Sequence, residues 1–199
     1  IRGSRAELQV FEDTTGLMVG DDVQFTGELL SVELGPGLLS QVYDGLQNPL
    51  PALAAEAGFF LKRGMYLQAL DRAKKWAFTP AVKKGATVSP ADALGTVPEG
   101  IFEHAIMVPF HLKGKLTVEE ISAAGEYDVE KVIARLKDAE GQLVEVKMYQ
   151  RWPVKIPIRQ YAERLRPTEP LVTKVRIVDT FFPVARGGTY CIPGPFGAG

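Results

Sequence analysis

The 199-residue chain has a single cysteine, Cys191, and only two histidines, His104 and His111. One thiol cannot form an intrachain disulfide, which removes the disulfide-scaffold class and favours a reducing compartment. Two histidines with no cysteine near them are too few ligands for a metal site, so no metal is expected and both rings are expected on the surface or partly packed. An excess of charge of one sign is also lacking: 23 Lys and Arg stand against 24 Asp and Glu, for a formal net charge of -1. That balance gives no global pull toward nucleic acid or anionic lipid. No run approaches the roughly 20 apolar residues that span a bilayer, and Ile1-Arg2-Gly3-Ser4 lacks the pattern of a signal peptide. Any link to a membrane is therefore expected to be indirect, through a partner.

What is present is 46% hydrophobic content, enough for a substantial core in one or two domains. Gly and Pro breakers divide the chain into four stretches. In residues 1–34, Ala6, Leu8 and Val10 alternate with Glu7 and Gln9, the period of a half-exposed strand. Val23–Thr26 and Leu29–Leu34 read as further strands, together part of a small β-barrel. Residues 35–58 open on the breaker Gly35-Pro36-Gly37. Leu38, Leu39, Val42, Tyr43 and Leu46 then follow helical spacing until Pro49 and Pro51, with a helical turn possible at Ala52–Ala57. Residues 59–153 are β-rich, with strands expected at Met65–Leu70, Thr87-Val88, Ala105–Val108 and Val144–Met148, and a hairpin loop at Lys137–Gly141. In residues 154–199, Thr173 is placed to cap a helix, and Thr189–Ile192 reads as a compact apolar strand with Cys191 buried in it.

A glycine-rich run follows that strand: Gly194, Pro195, Phe196, Gly197, Ala198 and Gly199. They fit the first six positions of the phosphate-binding pattern G-x-x-x-x-G-K-[ST]. Glycines there let successive N–H groups turn inward around phosphate oxygens with no Cβ in the way. The lysine for the β- and γ-phosphates and the hydroxyl for Mg²⁺ would come after Gly199. Taken alone, six such residues read more readily as a flexible terminus.

A longer set of motifs resembles the catalytic A subunit of V-type and archaeal-type ATPases. They are Val32–Leu39, Tyr43–Gln47 with Pro49-Leu50, Asp71-Arg72 with Lys75-Trp76 and Phe78–Pro80, Gly125–Tyr127, Gln150–Val154, Arg176–Asp179, Phe181–Pro183, Gly187–Thr189 and Ile192–Gly197. The resemblance implies a mainly β chain. Residues 1–34 would be the end of the N-terminal β-barrel and 35–58 a connection. Residues 59–153 would be the barrel-like bulge, or non-homologous region, and 154–199 the start of a P-loop α/β nucleotide-binding domain. On this reading the chain is an N-terminal fragment ending within the P-loop, without catalytic residues of its own and inactive alone.

The resemblance also implies ATP or ADP with Mg²⁺ for the complete subunit and coupling to H⁺ or Na⁺ transport. The implied partners are B subunits in an alternating A₃B₃ hexamer, a central rotor stalk and a peripheral stalk, on the cytoplasmic side of a membrane. Two departures from the family stand out. Thr173-Lys174 replaces a frequent Thr-Gly, and Ala198 stands where eukaryotic A subunits resemble each other in having Cys, which points to a bacterial or archaeal origin.

The β-rich stretch resembles a biotinyl or lipoyl carrier barrel, but the hairpin from Pro98 to His104 has no lysine to carry a group, so a plain scaffold is expected. Arg63, Lys74 and Lys75 around Trp76 read as a solvated face or subunit contact rather than a nucleic-acid site. The alternative to a catalytic role is a non-catalytic module that contacts neighbouring subunits or the peripheral stalk through the bulge.

Overall fold

The computed structural model describes residues 3, 5–58, 60, 64–160 and 165–195. It is mainly β, as the sequence implies, and divides into two compact units, Ile1–Gln160 and Tyr161–Gly199.

In the first unit the order is β1 (Ser31–Leu34), α1 (Leu50–Ala57), β2 (Lys75–Pro80), β3 (Thr87–Val88), β4 (Ala93–Glu99), β5 (Phe102–Met107), β6 (Leu116–Ile121), β7 (Gly125–Asp128), β8 (Ala134–Lys137), β9 (Leu143–Val146) and β10 (Gln150–Pro153). Two four-stranded antiparallel sheets form the body, in the orders β5-β4-β2-β7 and β3-β6-β8-β9. A third pairing joins β1 to β10, with Val32 opposite Trp152.

The cores follow the period-2 alternation of the strands. Trp76 and Phe78 of β2, Val97 of β4 and Ile106 of β5 are buried with Leu70, Val129, Ile133 and Met148. Leu94 of β4, Leu116 and Val118 of β6, and Ala134 and Leu136 of β8 are buried with Val88, Val108 and Val146. Strand β4 is the seam, giving Val97 to one cluster and Leu94 to the other, across a bulge between Ala93 and Gly95. Only glycine fits at position 95: a Cβ would lie 2.6 Å from Thr79 O and collide with the Phe78 ring.

Several expected elements are not there. Residues 5–30 contain no strand, and Leu8, Val10, Val23 and Phe25 are exposed. Among the described residues the alternation at Ala6–Val10 finds no paired strand, and a strand code alone does not fix a strand without one. Met65–Leu70 is not a strand either. Its backbone is met by side chains, with Leu67 N–H donating to Asn48 Oδ1 at 2.8 Å and the Tyr43 hydroxyl donating to Ala69 O at 3.0 Å.

The helix expected over Leu38–Leu46 does not form. Asp44 Oδ1 instead accepts from the amides of Leu46 (2.9 Å) and Asn48 (2.8 Å), and Ser40 and Gln47 adopt φ of 61° and 67°. Local carboxylate-to-amide bonds compete with helix, and two left-handed residues end it. The helix lies one step later, at α1. Pro51, read as a terminator, sits in its first turn, where a missing N–H costs nothing.

The second unit contains β11 (Pro170–Leu171), α2 (Arg176–Phe181) and β12 (Val184–Ala185), with β11 and β12 paired antiparallel. Thr173 does not cap α2: the cap position is Val175, with no side-chain cap bond. Thr189–Ile192 is not a strand, and Cys191 is exposed rather than buried. A buried P-loop strand needs sheet neighbours on both sides. Among the described residues of this unit the only sheet is the two-residue ladder of β11 and β12.

Candidate functional site

Of the six loop positions, Gly194 and Pro195 are described, exposed and outside regular structure. Phe196, Gly197, Ala198 and Gly199 lie outside the described residues, as does Arg63.

Upstream of the loop, one turn is tightly organised. Asp179 accepts from Thr173 Oγ1 (2.6 Å), Thr173 N–H (3.0 Å) and Lys174 N–H (3.0 Å). The Thr173 hydroxyl, and then its amide, hold the Asp179 carboxyl below its ordinary value. Lys174 has φ 65°, in the left-handed region. The departure from Thr-Gly therefore keeps a geometry that suits glycine, with a side chain added.

In the first unit, polar groups withdrawn from solvent gather at two places, one buried and one half-buried. The first is Glu99, at the end of β4 and 6% exposed. Its Oε1 accepts from Gly37 N–H at 2.6 Å and Leu39 N–H at 3.2 Å, and its Oε2 lies 2.6 Å from His104 Nδ1 on β5. Three donors satisfy a carboxylate that burial alone would disfavour. Gly37 has φ 108°, so the breaker loop reaches the carboxylate in a conformation few other residues adopt. Tyr43 also contacts the far side of this loop, and burial, followed by the charges of Glu99 and Glu33, pushes its hydroxyl up and keeps it a donor.

The second is Arg72. Its Nη2 is 2.5 Å from Glu33 Oε1, and its guanidinium stacks 4.3 Å from the Tyr149 ring centroid. Its Nε is 3.0 Å from Glu130 Oε1 without hydrogen-bond alignment, so that contact is one of charge alone. Glu130 also accepts from Lys147 Nζ (2.5 Å) and the Tyr149 hydroxyl (3.0 Å). The cluster ties β1 to the segments beside β2, β7 and β9. Gln47 adds a second tie, accepting from Glu33 N–H at 2.7 Å and donating to Glu33 O at 2.8 Å. Sequence reasoning assigned no role to Glu33, Gln47, Glu99 or Glu130; the signal it had was that Glu33, Gln47 and Arg72 stand within family-like motifs.

His104 pairs with Glu99, His111 is exposed, and no cluster of three or more His, Cys, Asp or Glu that could hold a metal occurs among the described residues. The hairpin that would bear a carrier lysine is β4–β5, and its turn is Gly100-Ile101. Lys74 Nζ lies 4.0 Å over the Trp76 ring. No helix among the described residues is long and apolar enough to cross a membrane.

The ATP synthase alpha/beta family beta-barrel domain matches residues 1–27, and the ATPsynthase alpha/beta subunit barrel-sandwich domain matches residues 67–155. The V-type ATP synthase alpha chain of Treponema denticola is 62% identical over 199 residues. The V-type ATP synthase alpha chain 1 of Treponema pallidum is 63% identical and the alpha chain of Borrelia hermsii 57% identical over the same length. Each match takes in 100% of this chain and 34% of the relative, so the chain spans about a third of the length of these relatives. Two domains of one family in their order, and high identity along the whole length, lead to one conclusion: the chain belongs to the ATP synthase alpha/beta family, on the branch of the V-type alpha chains.

Proposed function

We propose that the chain supplies part of the catalytic A subunit of a rotary ATPase, which hydrolyses or makes ATP while moving H⁺ or Na⁺ across a membrane. The observation that carries this is the 62% identity over 199 residues to the V-type ATP synthase alpha chain of Treponema denticola. In this reading Gly194 to Gly199 are the first six positions of the phosphate loop. Gly194 offers an amide donor and Pro195 none. The contacts to phosphate would fall to the later amides, and to a lysine and a hydroxyl beyond Gly199. Mg²⁺ would arrive with the nucleotide.

The proposed layout keeps 1–34 as barrel edge, 35–58 as connection, 59–153 as bulge and 154–199 as the start of the nucleotide domain. The proposed partners are B subunits in an alternating hexamer, a rotor stalk and a peripheral stalk, on the cytoplasmic face of the membrane. A second reading concerns the bulge alone, as a contact module for neighbouring subunits or the peripheral stalk. It is favoured by Ile101, 93% exposed at the tip of the β4–β5 hairpin.

In the parent gene, the codons after Gly199 should specify Lys and then Ser or Thr, and any other pair would sink the catalytic reading. By itself the 199-residue chain should show no ATP binding tighter than about 1 mM in calorimetry. Tighter binding would overturn the assignment of the missing loop residues as the main phosphate contacts.

A further inference from the structure

Strand β1 has β10 on one side only, with Ser31 opposite Pro153 and Leu34 opposite Gln150. In an antiparallel ladder successive residues turn their N–H and C=O groups to alternate sides. The Val154 amide donates to Leu30 O at 3.0 Å, so Leu30, and with it Val32 and Leu34, bond toward β10. Ser31 and Glu33 therefore turn their backbone groups to the other side. Pro153 agrees with this phase, since opposite Ser31 it has no N–H to give.

That second side is a hazard. Leu29-Leu30-Ser31-Val32-Glu33-Leu34 carries one charge and no glycine or proline, the kind of run that pairs with a copy of itself. Leu29 and Leu30 are 62% and 52% exposed, and residues 5–30 provide no strand to cover the edge. An uncovered edge is a template for an incoming strand.

Gln47 closes the edge at Glu33. Its Oε1 accepts from Glu33 N–H at 2.7 Å and its Nε2 donates to Glu33 O at 2.8 Å. A side-chain amide thus presents the acceptor and the donor that a neighbouring strand would present. Further along, Ser31 Oγ donates to Leu29 O at 2.8 Å. Ser31 keeps its own outward N–H and C=O without a hydrogen bond to any described residue.

The loop around Gln47 holds it in this position. Its φ is 67°, a left-handed conformation that costs a residue with a side chain. Gln47 N–H donates to Asp44 O at 3.1 Å, and Asp44 Oδ1 accepts from the amides of Leu46 and Asn48. Asn48, 4% exposed, anchors the turn through Asp44 Oδ2 and the Leu67 amide. Strain fixed by so many bonds points to a side chain whose placement matters.

We infer that Gln47 is an edge guard: it keeps a second copy of this chain from adding its own Leu29–Leu34 segment to β1. Register names the excluded occupant. Two copies pairing antiparallel about Ser31 would set Ser31 against Ser31, and Glu33 against Leu29 of the other copy. Pairing about Glu33 would instead set like charges face to face. In the Ser31-centred pair Glu33 would exchange both of its outward backbone bonds with Leu29 of the other copy, and Gln47 already holds both.

The test measures amide exchange at Ser31 and Glu33 over a range of protein concentration, in the wild-type chain and in Gln47→Met. Methionine keeps the length of the side chain and makes neither bond. In the wild type Ser31 should exchange freely at every concentration. In Gln47→Met its protection should rise at least about tenfold with concentration, alongside a dimer in sedimentation velocity. Adding Ser31→Pro should abolish that dimer, because the proline removes an N–H that β10 does not use and leaves the β1–β10 ladder intact. Should Gln47→Met not fold, Gln47→Gly, which relieves the φ of 67°, is read by the same criteria. Protection of Ser31 that does not depend on concentration in the variant overturns the proposal. So does a dimer that survives Ser31→Pro, or wild-type protection that rises as steeply as the variant's.

Discussion

Glu99 and Gly37, 62 positions apart, meet through a 2.6 Å hydrogen bond from the Gly37 amide to the Glu99 carboxylate. A buried carboxylate at a hairpin end thus holds the loop that joins the N-terminal residues to the sheets. Replacing Glu99 with Gln keeps the shape but removes the charge from bonds made by Gly37, Leu39 and His104. Charge-assisted bonds contribute roughly 1.5–3 kcal/mol each where deletion leaves partners unmet. Glu99→Gln is expected to lower stability by about 2 kcal/mol and Glu99→Ala by more, read as a lower urea midpoint with unchanged slope.

Arg72 holds Glu33 and neighbours Glu130 and Tyr149. A lysine cannot reproduce both the stacking and the forked contact. Arg72→Lys is expected to cost about 1 kcal/mol and Arg72→Ala about 2–3 kcal/mol, since Glu33 would keep a partly buried charge without its partner. A double-mutant cycle with Glu33→Gln checks this, and a coupling near zero would contradict it.

Lys174 occupies a left-handed position in a turn pinned by Asp179. Lys174→Gly relieves that strain and adds freedom to the unfolded chain, with a small net gain of about 0.5 kcal/mol. The Asp179 and Phe182 amides, which bond to Val175 O and Val178 O, should then exchange about twofold more slowly. Faster exchange would show that the turn does not carry this strain.

Acid should weaken the first unit through Glu130. The hydrogen bond from Lys147 holds its carboxyl below the ordinary value, against a smaller opposing push from burial. A carboxyl whose folded value is depressed stabilises above its unfolded value, about 4.3, and that contribution is lost as pH falls through the folded value. Glu130→Gln should lower the urea midpoint at neutral pH and leave a shallower decline from about pH 5 to about pH 2. The same bond raises Lys147, whose contribution persists below about 10.4 and fades as pH rises through its folded value.

The legibility of the sequence was uneven for physical reasons. Where alternation and turn residues agree, the elements were plain: Thr87-Val88, and the Lys137–Gly141 loop between β8 and β9. The helix was misplaced because Asp44 binds amides that a helix would need, a competition that spacing of apolar residues does not register. Cys191 looked buried because its neighbours are apolar, yet burial depends on covering elements that a short motif does not specify. Glu99, Glu33 and Glu130 were invisible as a site, because each depends on a distant partner: Gly37, Arg72 and Lys147 lie 62, 39 and 17 positions away. Lys174 ran the other way: a single departure from a family motif marked the one strained residue of its turn.

The pairing of β1 with β10 has a consequence for how such a chain can change. Ser31 faces Pro153 and Leu34 faces Gln150 across one ladder, so the backbone leaves and returns at nearly the same point, within the spacing of neighbouring strands. Everything between is a detour closed at its base. Residues can be added to it, lost from it or rearranged within it, while the path of the chain on either side stays where it was.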